Sequence, residues 1–433
     1  MEYIEVLALV VCFVVLLGLG LPIAFSIAIS ATLTLLMNVP TMATLTTVAQ
    51  RMATGLDSFT LLAIPFFILA GQLMNSGGIA RRLIDFARAL VGALPGGLAF
   101  VNIVANMLFG AISGSAVASA SAIGGAMGPR MEKEGYDKAY SAAVNISSAT
   151  TGLIIPPSNT LIVFSLASGG VSIAALFMAG YLPGLLIGGL LMLTAGIIAK
   201  KRNYPRGEKA SFGETARTLV AATPSLLMLV VVIGGIVNGL FTATEASAIA
   251  VLYSACLVAA YKEVSLSQIR PLLLDTIRTT CIVLFLVATS ISLSWVMAYE
   301  NIPQSITTAL LAISDNPIII LLIINLILLA VGIFMDMTPA VLIFTPIFLP
   351  VVVATGMDPV HFGIMMILNL CIGLCTPPVG SVLFVGCSVA KIKIQSVIKP
   401  LLPLFITMLL GLMLVAFIPE ISLFLPRVLG LME

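Results

Sequence analysis

Apolar runs long enough to cross a bilayer recur from Ile4 to Leu425, separated by short polar or basic breaks. A helix needs ~20 apolar residues to span the hydrocarbon core. The pattern predicts spans near residues 4–20, 22–38 and 58–76, then an amphipathic turn at Arg81 to Arg88. A stretch entering near Ala99, turning at Ser113-Gly114-Ser115 and leaving at Arg130 is basic on both flanks. Lys and Arg favour the cytoplasmic side, so both flanks belong inside and the stretch is a re-entrant hairpin. A helix from Tyr140 to Ala167 follows, interrupted at Gly152 to Ser158, and a further span returns to Lys200-Lys201-Arg202.

The pattern then repeats. Pro129, Gly135, Asp137 and Pro156 recur as Pro350, Gly356, Asp358 and Pro377 at a constant offset of 221, without a gap over roughly fifty residues. Charge separates a parallel from an inverted copy. Arg81, Arg82, Arg88, Arg130, Lys133 and Lys138 surround the first hairpin, whereas the matching segments around Asn301 to Leu311 and Pro350 to Pro359 hold no Lys or Arg. Past the double proline the bias reverses: Ser168-Gly169-Gly170 is uncharged and its counterpart carries Lys391, Lys393 and Lys399. Every matched loop changes sides, so the copies are inverted. The chain therefore reads as an all-α polytopic membrane protein of two inverted repeats with re-entrant hairpins and broken helices. The first repeat is placed at 1–200 (hairpin about 99–129, broken helix about 140–167). A cytoplasmic linker at 201–215 leads to the second repeat at 216–433 (hairpin about 318–350, broken helix about 361–389), with both termini outside.

Composition agrees with one membrane domain over 1–433: 60% of residues are hydrophobic, 9% are charged, and mean hydropathy is +1.19. The longest charged stretch, Lys200 to Lys209, is too short to fold alone. Net charge is +2, carried in short loops, and implies no nucleic-acid partner. The start Met1-Glu2-Tyr3-Ile4-Glu5 lacks a basic n-region, so the first apolar run is expected to be retained as a span. Cys12, Cys256, Cys281, Cys371, Cys375 and Cys387 lie in apolar segments without CxxC spacing and read as packing residues. Nucleophile–base pairs, metal clusters and phosphate-cradling loops are missing from the pattern, which argues against an enzyme or an ATP-driven pump and calls for no cofactor.

The chemistry concentrates at the breaks. Two prolines in Gly152-Leu153-Ile154-Ile155-Pro156-Pro157 delete backbone donors in mid-membrane. Carbonyls of Gly152, Ile155 and their neighbours then suit a hard monovalent cation, and the break recurs at Gly373, Thr376 and Pro377. The plainer alternative is a proline kink satisfied by neighbouring helices. At the hairpin tip, Ser113 and Ser115 are candidates for ligand contact, while Ala118 to Ser121 suits close helix packing. Ser158 and Asn159 open the half-helix after the break, where amides and the positive dipole end attract a carboxylate. Asp336, matched to Ser115, is either a functional intramembrane carboxylate or the cap of the returning arm. Glu245 reads as a capping residue, and the single histidine, His361, as interfacial.

Together, Leu61-Leu62-Ala63-Ile64-Pro65-Phe66-Phe67, Ser113-Gly114-Ser115-Ala116-Val117-Ala118, Ile155-Pro156-Pro157-Ser158, Thr242 with Thr244-Glu245-Ala246, Asp336-Met337-Thr338-Pro339 and Thr376-Pro377-Pro378-Val379-Gly380 make the chain resemble a known family. It resembles the large membrane subunit of the tripartite ATP-independent periplasmic transporters, over essentially its whole length. The resemblance implies an elevator-type sodium symporter in the bacterial inner membrane. It also implies a small four-helix membrane subunit and a periplasmic substrate-binding protein as partners, and an organic acid as substrate. One Na+, the coupling ion, is then expected among Gly110, Ser113, Gly152, Ile155 and Pro156, and a second among Gly332, Gly373, Thr376 and Pro377. Ser115, Ser158, Asn159 and Asp336 are the candidate substrate contacts. The sequence departs from the commonest family pattern at Ser119, where Asp is usual, and at Asn159, where Ile is frequent. Both changes are expected at the site and favour a polyhydroxylated acid such as sialic acid over a C4-dicarboxylate. A stand-alone sodium or proton symporter and a channel are the competing readings.

Overall fold

Asp137 and Asp358 show how the duplicated sequence writes duplicated structure. Their carboxylates accept from the amides of Tyr140 (2.8 Å) and Val360 (2.7 Å), capping two equivalent helices. Two residues earlier, Gly135 and Gly356 take left-handed backbone angles, φ +84° and +87°, where a side chain would be strained. Each closes the preceding helix: Tyr136 and Met357 donate back to the carbonyls of Met131 and Val352.

The computed structural model describes residues 2–76, 78–205, 207, 210–314 and 316–432. Among these residues the chain is helical without a strand, and eight helices are long and apolar enough to cross a bilayer. The first half holds α1 (Glu2–Gly18), α2 (Ile23–Leu36), α3 (Thr41–Gly55), α4 (Ala63–Ser76), α5 (Ile79–Val91), α6 (Gly97–Ser113), α7 (Ala116–Lys133), α8 (Lys138–Ala149), α9 (Asn159–Ala167) and α10 (Ile173–Lys201). The second holds α11 (Phe212–Val237), α12 (Ala243–Tyr261), α13 (Leu266–Tyr299), α14 (Ile302–Ile313), α15 (Pro317–Phe334), α16 (Met337–Ala354), α17 (Pro359–Gly373), α18 (Ser381–Ala390), α19 (Ile394–Phe417) and α20 (Glu420–Val428). Of the linker expected at 201–215, Arg206, Glu208 and Lys209 lie outside the described residues.

The offset extends well beyond fifty residues. Adding 221 to the first residues of α7, α8 and α10 gives 337, 359 and 394, the first residues of α16, α17 and α19. One pair differs in form: α3 and α4 are separate helices, while their counterpart α13 is a single helix of 34 residues. Gly55, Asp57 and Ser58 end α3, whereas the matched Thr276, Arg278 and Thr279 continue the helix.

Two bodies pack side by side. α4 lies on α12 and α2 on α13, a matched pair of contacts that builds a scaffold from α1–α5 and α11–α14. In the other body the repeats interlock: α7 packs on α18 and α16 on α9, while α8 packs on α19 and α10 on α17. Its hairpins are α6–α7 and α15–α16, and its broken helices are α8–α9 and α17–α18. The ends of α13 fix the poles of the molecule, about 50 Å apart at 1.5 Å per residue. Before its start, Glu263 pairs with Arg82 at 2.8 Å; after its end, Glu300 accepts from Asn38 at 3.1 Å. By the loop-charge expectation, the first pole, which carries Arg82 and the rest of α5, is assigned to the cytoplasm.

Three expectations are corrected. Arg81 to Arg88 belongs to a full amphipathic helix, α5, with Ile79, Leu83, Ile84 and Ala87 buried. Helix α3 occupies a stretch with no expected element; its Thr-rich sequence buries Thr44 and Val48 and leaves most other positions exposed. His361 is buried rather than interfacial, its ring held between Ser422 Oγ (2.6 Å) and the Ala416 carbonyl (3.3 Å). Glu245 does cap: its carboxylate accepts from the Thr242 amide at 2.8 Å while its own amide donates to the Thr242 hydroxyl.

Candidate functional site

A helical carbonyl accepts from the amide four residues on, so Pro156 and Pro157 strip partners from Gly152 and Leu153. Pro377 and Pro378 remove the same i+4 donors from Gly373 and Leu374, whose carbonyls accept instead from the amides of Thr376 and Leu383, and both Pro–Pro bonds are cis. The chain crosses each break without a side chain in the way. A Cβ on Gly110 would come 2.6 Å from the Cα of Gly152, and one on Gly373 would come 2.6 Å from the Cα of Gly332. Each break thus lies with its backbone against the tip-end of a hairpin arm, α6 or α15. The partner glycine is shifted by one residue between the copies, since 221 beyond Gly110 is Val331 and not Gly332. In the second break the Gly373 carbonyl accepts from the Thr376 amide at 2.9 Å, and the Thr376 hydroxyl donates to Ile372 at 2.8 Å.

Between the breaks, the hairpin tips and the scaffold lies a cavity of about 330 Å³. Four helices begin at its wall: α7 with Ala116, α9 with Asn159 and Thr160, α16 with Met337 and Thr338, and α18 with Ser381. Their lining comes in matched pairs, Ser115 with Asp336, Val117 with Thr338, Leu153 with Leu374 and Thr160 with Ser381, each 221 apart. The cavity therefore straddles the axis relating the repeats. The scaffold adds Gln72 and Asn75 from α4 and Thr279 from α13. Where the two bodies meet, Gly71 of α4 abuts the tip, and a Cβ there would sit 2.6 Å from the Ser113 carbonyl.

Of the residues singled out from sequence, Ser113, Ser115, Asn159 and Asp336 line this cavity. Ser115 also caps α7, its hydroxyl accepting from the Ala118 amide at 3.2 Å. Asp336 holds the matching N-cap position of α16, without a side-chain capping hydrogen bond. It is the one carboxylate among the lining residues. Ser158 lies just behind the lining, buried, with a hydroxyl that has no hydrogen-bond partner. Behind the lining, Gly110 meets Gly152 and Gly332 meets Gly373, while Ile155 and Pro156 lie against Gly184 and Gly180 of α10; none of these, nor Thr376 or Pro377, lines the cavity. Ser119 is a correction: it is fully buried within the first hairpin, its hydroxyl donating to Asn106 Oδ1 at 2.7 Å. It sits in a network with Asn102, Asn145 and Ser148 and does not line the cavity.

Gln72, Asn75, Thr279 and Ser381 escaped the sequence reading. Gln72 and Asn75 did leave a signal, as amides three apart inside an apolar span, which places them on one helix face.

Comparison with known proteins follows the same lines. Residues 10–421 match the family described as the tripartite ATP-independent periplasmic transporter, DctM component. An uncharacterized protein of Salmonella typhimurium, YgiK, is 54% identical, with 98% of each chain covered. The sialic acid TRAP transporter large permease protein SiaM of Vibrio cholerae is 41% identical, covering 95% of this chain and 96% of the relative. The C4-dicarboxylate TRAP transporter large permease protein DctM of Rhodobacter capsulatus is 38% identical with the same coverages. In fold, the chain is similar to the crystal structure of the Alcanivorax borkumensis YdaH transporter, with a TM-score of 0.66 over 88% of this chain and 89% of that one at 14% identity.

Proposed function

The chain belongs to the tripartite ATP-independent periplasmic transporter family as its large, DctM-type permease, a multi-pass inner-membrane protein, and from that membership we propose that it imports an organic acid by sodium symport. One observation carries the proposal: four helix N-termini open on a single central cavity. Each contributes unpaired amides and a partial positive charge, favouring an anion by ~0.3–1 kcal/mol at exposed sites and up to ~2 kcal/mol when partly buried. A carboxylate in the cavity meets such dipoles from both repeats.

Sodium supplies the driving force in this reading. At the first break the Gly152 and Leu153 carbonyls accept no amide among the described residues, and at the second those of Gly373 and Leu374 have traded their helical partners for Thr376 and Leu383, which leaves backbone oxygens of the kind a hard, small-charge cation prefers. Ser113 and Thr376 stand beside them with hydroxyls. Cation and anion sites then share the hairpin tips, so binding of one favours the other through short-range attraction. The division into scaffold and interlocked core suggests how cargo crosses: the core, carrying both hairpins and both breaks, slides as an elevator against the fixed scaffold. Gly71 against Ser113 is a contact without an intervening side chain, as sliding requires.

The relatives are named for different cargoes, among them sialic acid and C4-dicarboxylates. For this chain we favour a polyhydroxylated acid such as sialic acid. The lining carries one acid and no base among its named residues, but several neutral donors and acceptors in Gln72, Asn75, Asn159, Thr160 and Ser381. A dicarboxylate would leave its second charge without a basic partner. As in the family, a periplasmic binding protein delivers the cargo and a small membrane subunit completes the transporter. The test is uptake into proteoliposomes holding the complete transporter, with its cognate binding protein and an imposed sodium gradient. Sialic acid is expected to accumulate and to stop when sodium is equalised. Accumulation of succinate alone would move the cargo to dicarboxylates, and uptake indifferent to sodium would overturn symport.

A further inference from the structure

Helix α5 divides into two faces. Ile79, Leu83, Ile84 and Ala87 are buried, while Arg81, Arg82, Asp85 and Arg88 project from the other side at the cytoplasmic pole. The helix packs on α11 of the scaffold and on α6 of the first hairpin, so it bridges the two bodies. Between α5 and the first turns of α11 opens a cavity of about 400 Å³, lined by Arg82, Asp85, Arg88, Glu214, Arg217 and Thr218.

The charges in this cavity are not equally engaged. Arg82 is held by Glu263 at 2.8 Å and stacks over the Tyr261 ring at 3.6 Å. Asp85 faces Arg130 at 3.8 Å. Arg88 and Arg217 take part in no ion pair among the described residues. Two guanidiniums from two different helices therefore converge on a space that holds one further acid, Glu214, whose amide is tied to the Ser211 cap. Exposed apolar side chains lie on the same two helices, outside the cavity lining. Leu90 follows on α5, Val220 follows on α11, and Phe212 is 91% exposed at the start of α11. A bare phenylalanine at the start of the helix that carries Arg217 is costly in water and favourable at the boundary of headgroups and acyl chains.

We infer that this cavity binds the headgroup of an anionic phospholipid of the inner leaflet. Arg88 and Arg217 grip the phosphate, Thr218 supplies a hydroxyl, and the acyl chains run outward over Leu90, Phe212 and Val220. Free phosphate uses the guanidiniums but gains nothing from the exposed apolar side chains of the same two helices, which is why a lipid is the fitting occupant. The lipid thus sits within the scaffold, on the helix that also packs against the first hairpin.

Lipid retention tests this independently of transport, so failure here leaves the symport reading untouched. The full chain is reconstituted in phosphatidylcholine nanodiscs containing a minority of phosphatidylglycerol, and retained lipids are counted by native mass spectrometry. Phosphatidylglycerol should be enriched over phosphatidylcholine. The Arg88→Gln/Arg217→Gln pair should cut that enrichment by roughly tenfold or more, since each basic residue near an anionic surface contributes about 1 kcal/mol. Arg81→Gln removes an equal charge from the same helix outside the cavity and should change little. Ala89→Trp fills the cavity without altering charge and should also abolish the preference, guarding against a double variant that fails to fold. Equal losses from Arg81→Gln would reduce the effect to general surface potential and overturn the site. So would displacement of phosphatidylglycerol by millimolar inorganic phosphate, or an absence of preference in the unaltered chain.

Discussion

The Cys371 thiol lies 3.5 Å from the Thr150 carbonyl oxygen, and residues 150 and 371 are the same position in the two repeats. A position touches its own copy only where a twofold axis passes. The axis relating the repeats therefore runs between α8 and α17, just before both helices break, and the central cavity lies along it. This contact has no room to grow. Cys371→Leu should lower the melting temperature, at a cost of ~1–3 kcal/mol for overpacking, while Cys371→Ala should cost less. Thermal unfolding in detergent checks both, and a tolerated leucine would mean that the axis is loosely packed.

Ser113 and Thr376 separate the ion-binding reading of the breaks from a purely structural one. Replacing either with Ala should raise the sodium concentration for half-maximal uptake by about fivefold, the equivalent of one hydrogen-bonding group worth ~1 kcal/mol. Sodium titrations of initial uptake rates give the answer. Unchanged curves in both variants would leave the breaks as kinks only.

Asp336 occupies a capping position without capping. Asp336→Asn keeps the shape and removes the charge, so melting should be unaffected while uptake falls at least about tenfold, the scale of a charged hydrogen bond of ~1.5 kcal/mol or more. Parallel melting and transport assays distinguish the outcomes. Full uptake in the Asn variant would assign the residue to backbone geometry.

Gln72 and Asn75 reach the cavity from the scaffold. Ala at either position should weaken substrate, raising KM by about fivefold for each lost hydrogen bond of ~1 kcal/mol, with sodium dependence preserved. A shift in sodium dependence instead would place these amides at an ion.

Much of this architecture is legible in sequence because its signals are local. Pro156-Pro157 and Pro377-Pro378 break helices wherever they stand, Gly135 and Asp137 terminate and restart them, and loop arginines declare a side of the membrane. What stayed hidden depends on who packs against whom. Nothing near Gln72 announces that α4 will face the hairpin tips, and Ser119 looked like a cavity residue until Asn106 took its hydroxyl. The glycine facing Gly373 is one residue out of register with its copy, so the 221 offset alone points to Val331, and Gly332 comes from the family resemblance. Helix α3 was missed because a threonine-rich, mostly exposed helix lacks the apolar stripe that betrays its neighbours.

The matched lining of the cavity bears on how such a protein changes its cargo. Backbone dipoles were inherited twice and are held by the fold, so attraction for a negative charge survives almost any side-chain change at the wall. On the proposed binding mode, selectivity sits on the paired positions, where one copy keeps Ser115 and Thr160 and the other has Asp336 and Ser381. Gene duplication in effect gave one ligand two independently editable half-walls. A new specificity is then reachable by altering a single repeat, with the other still supplying grip.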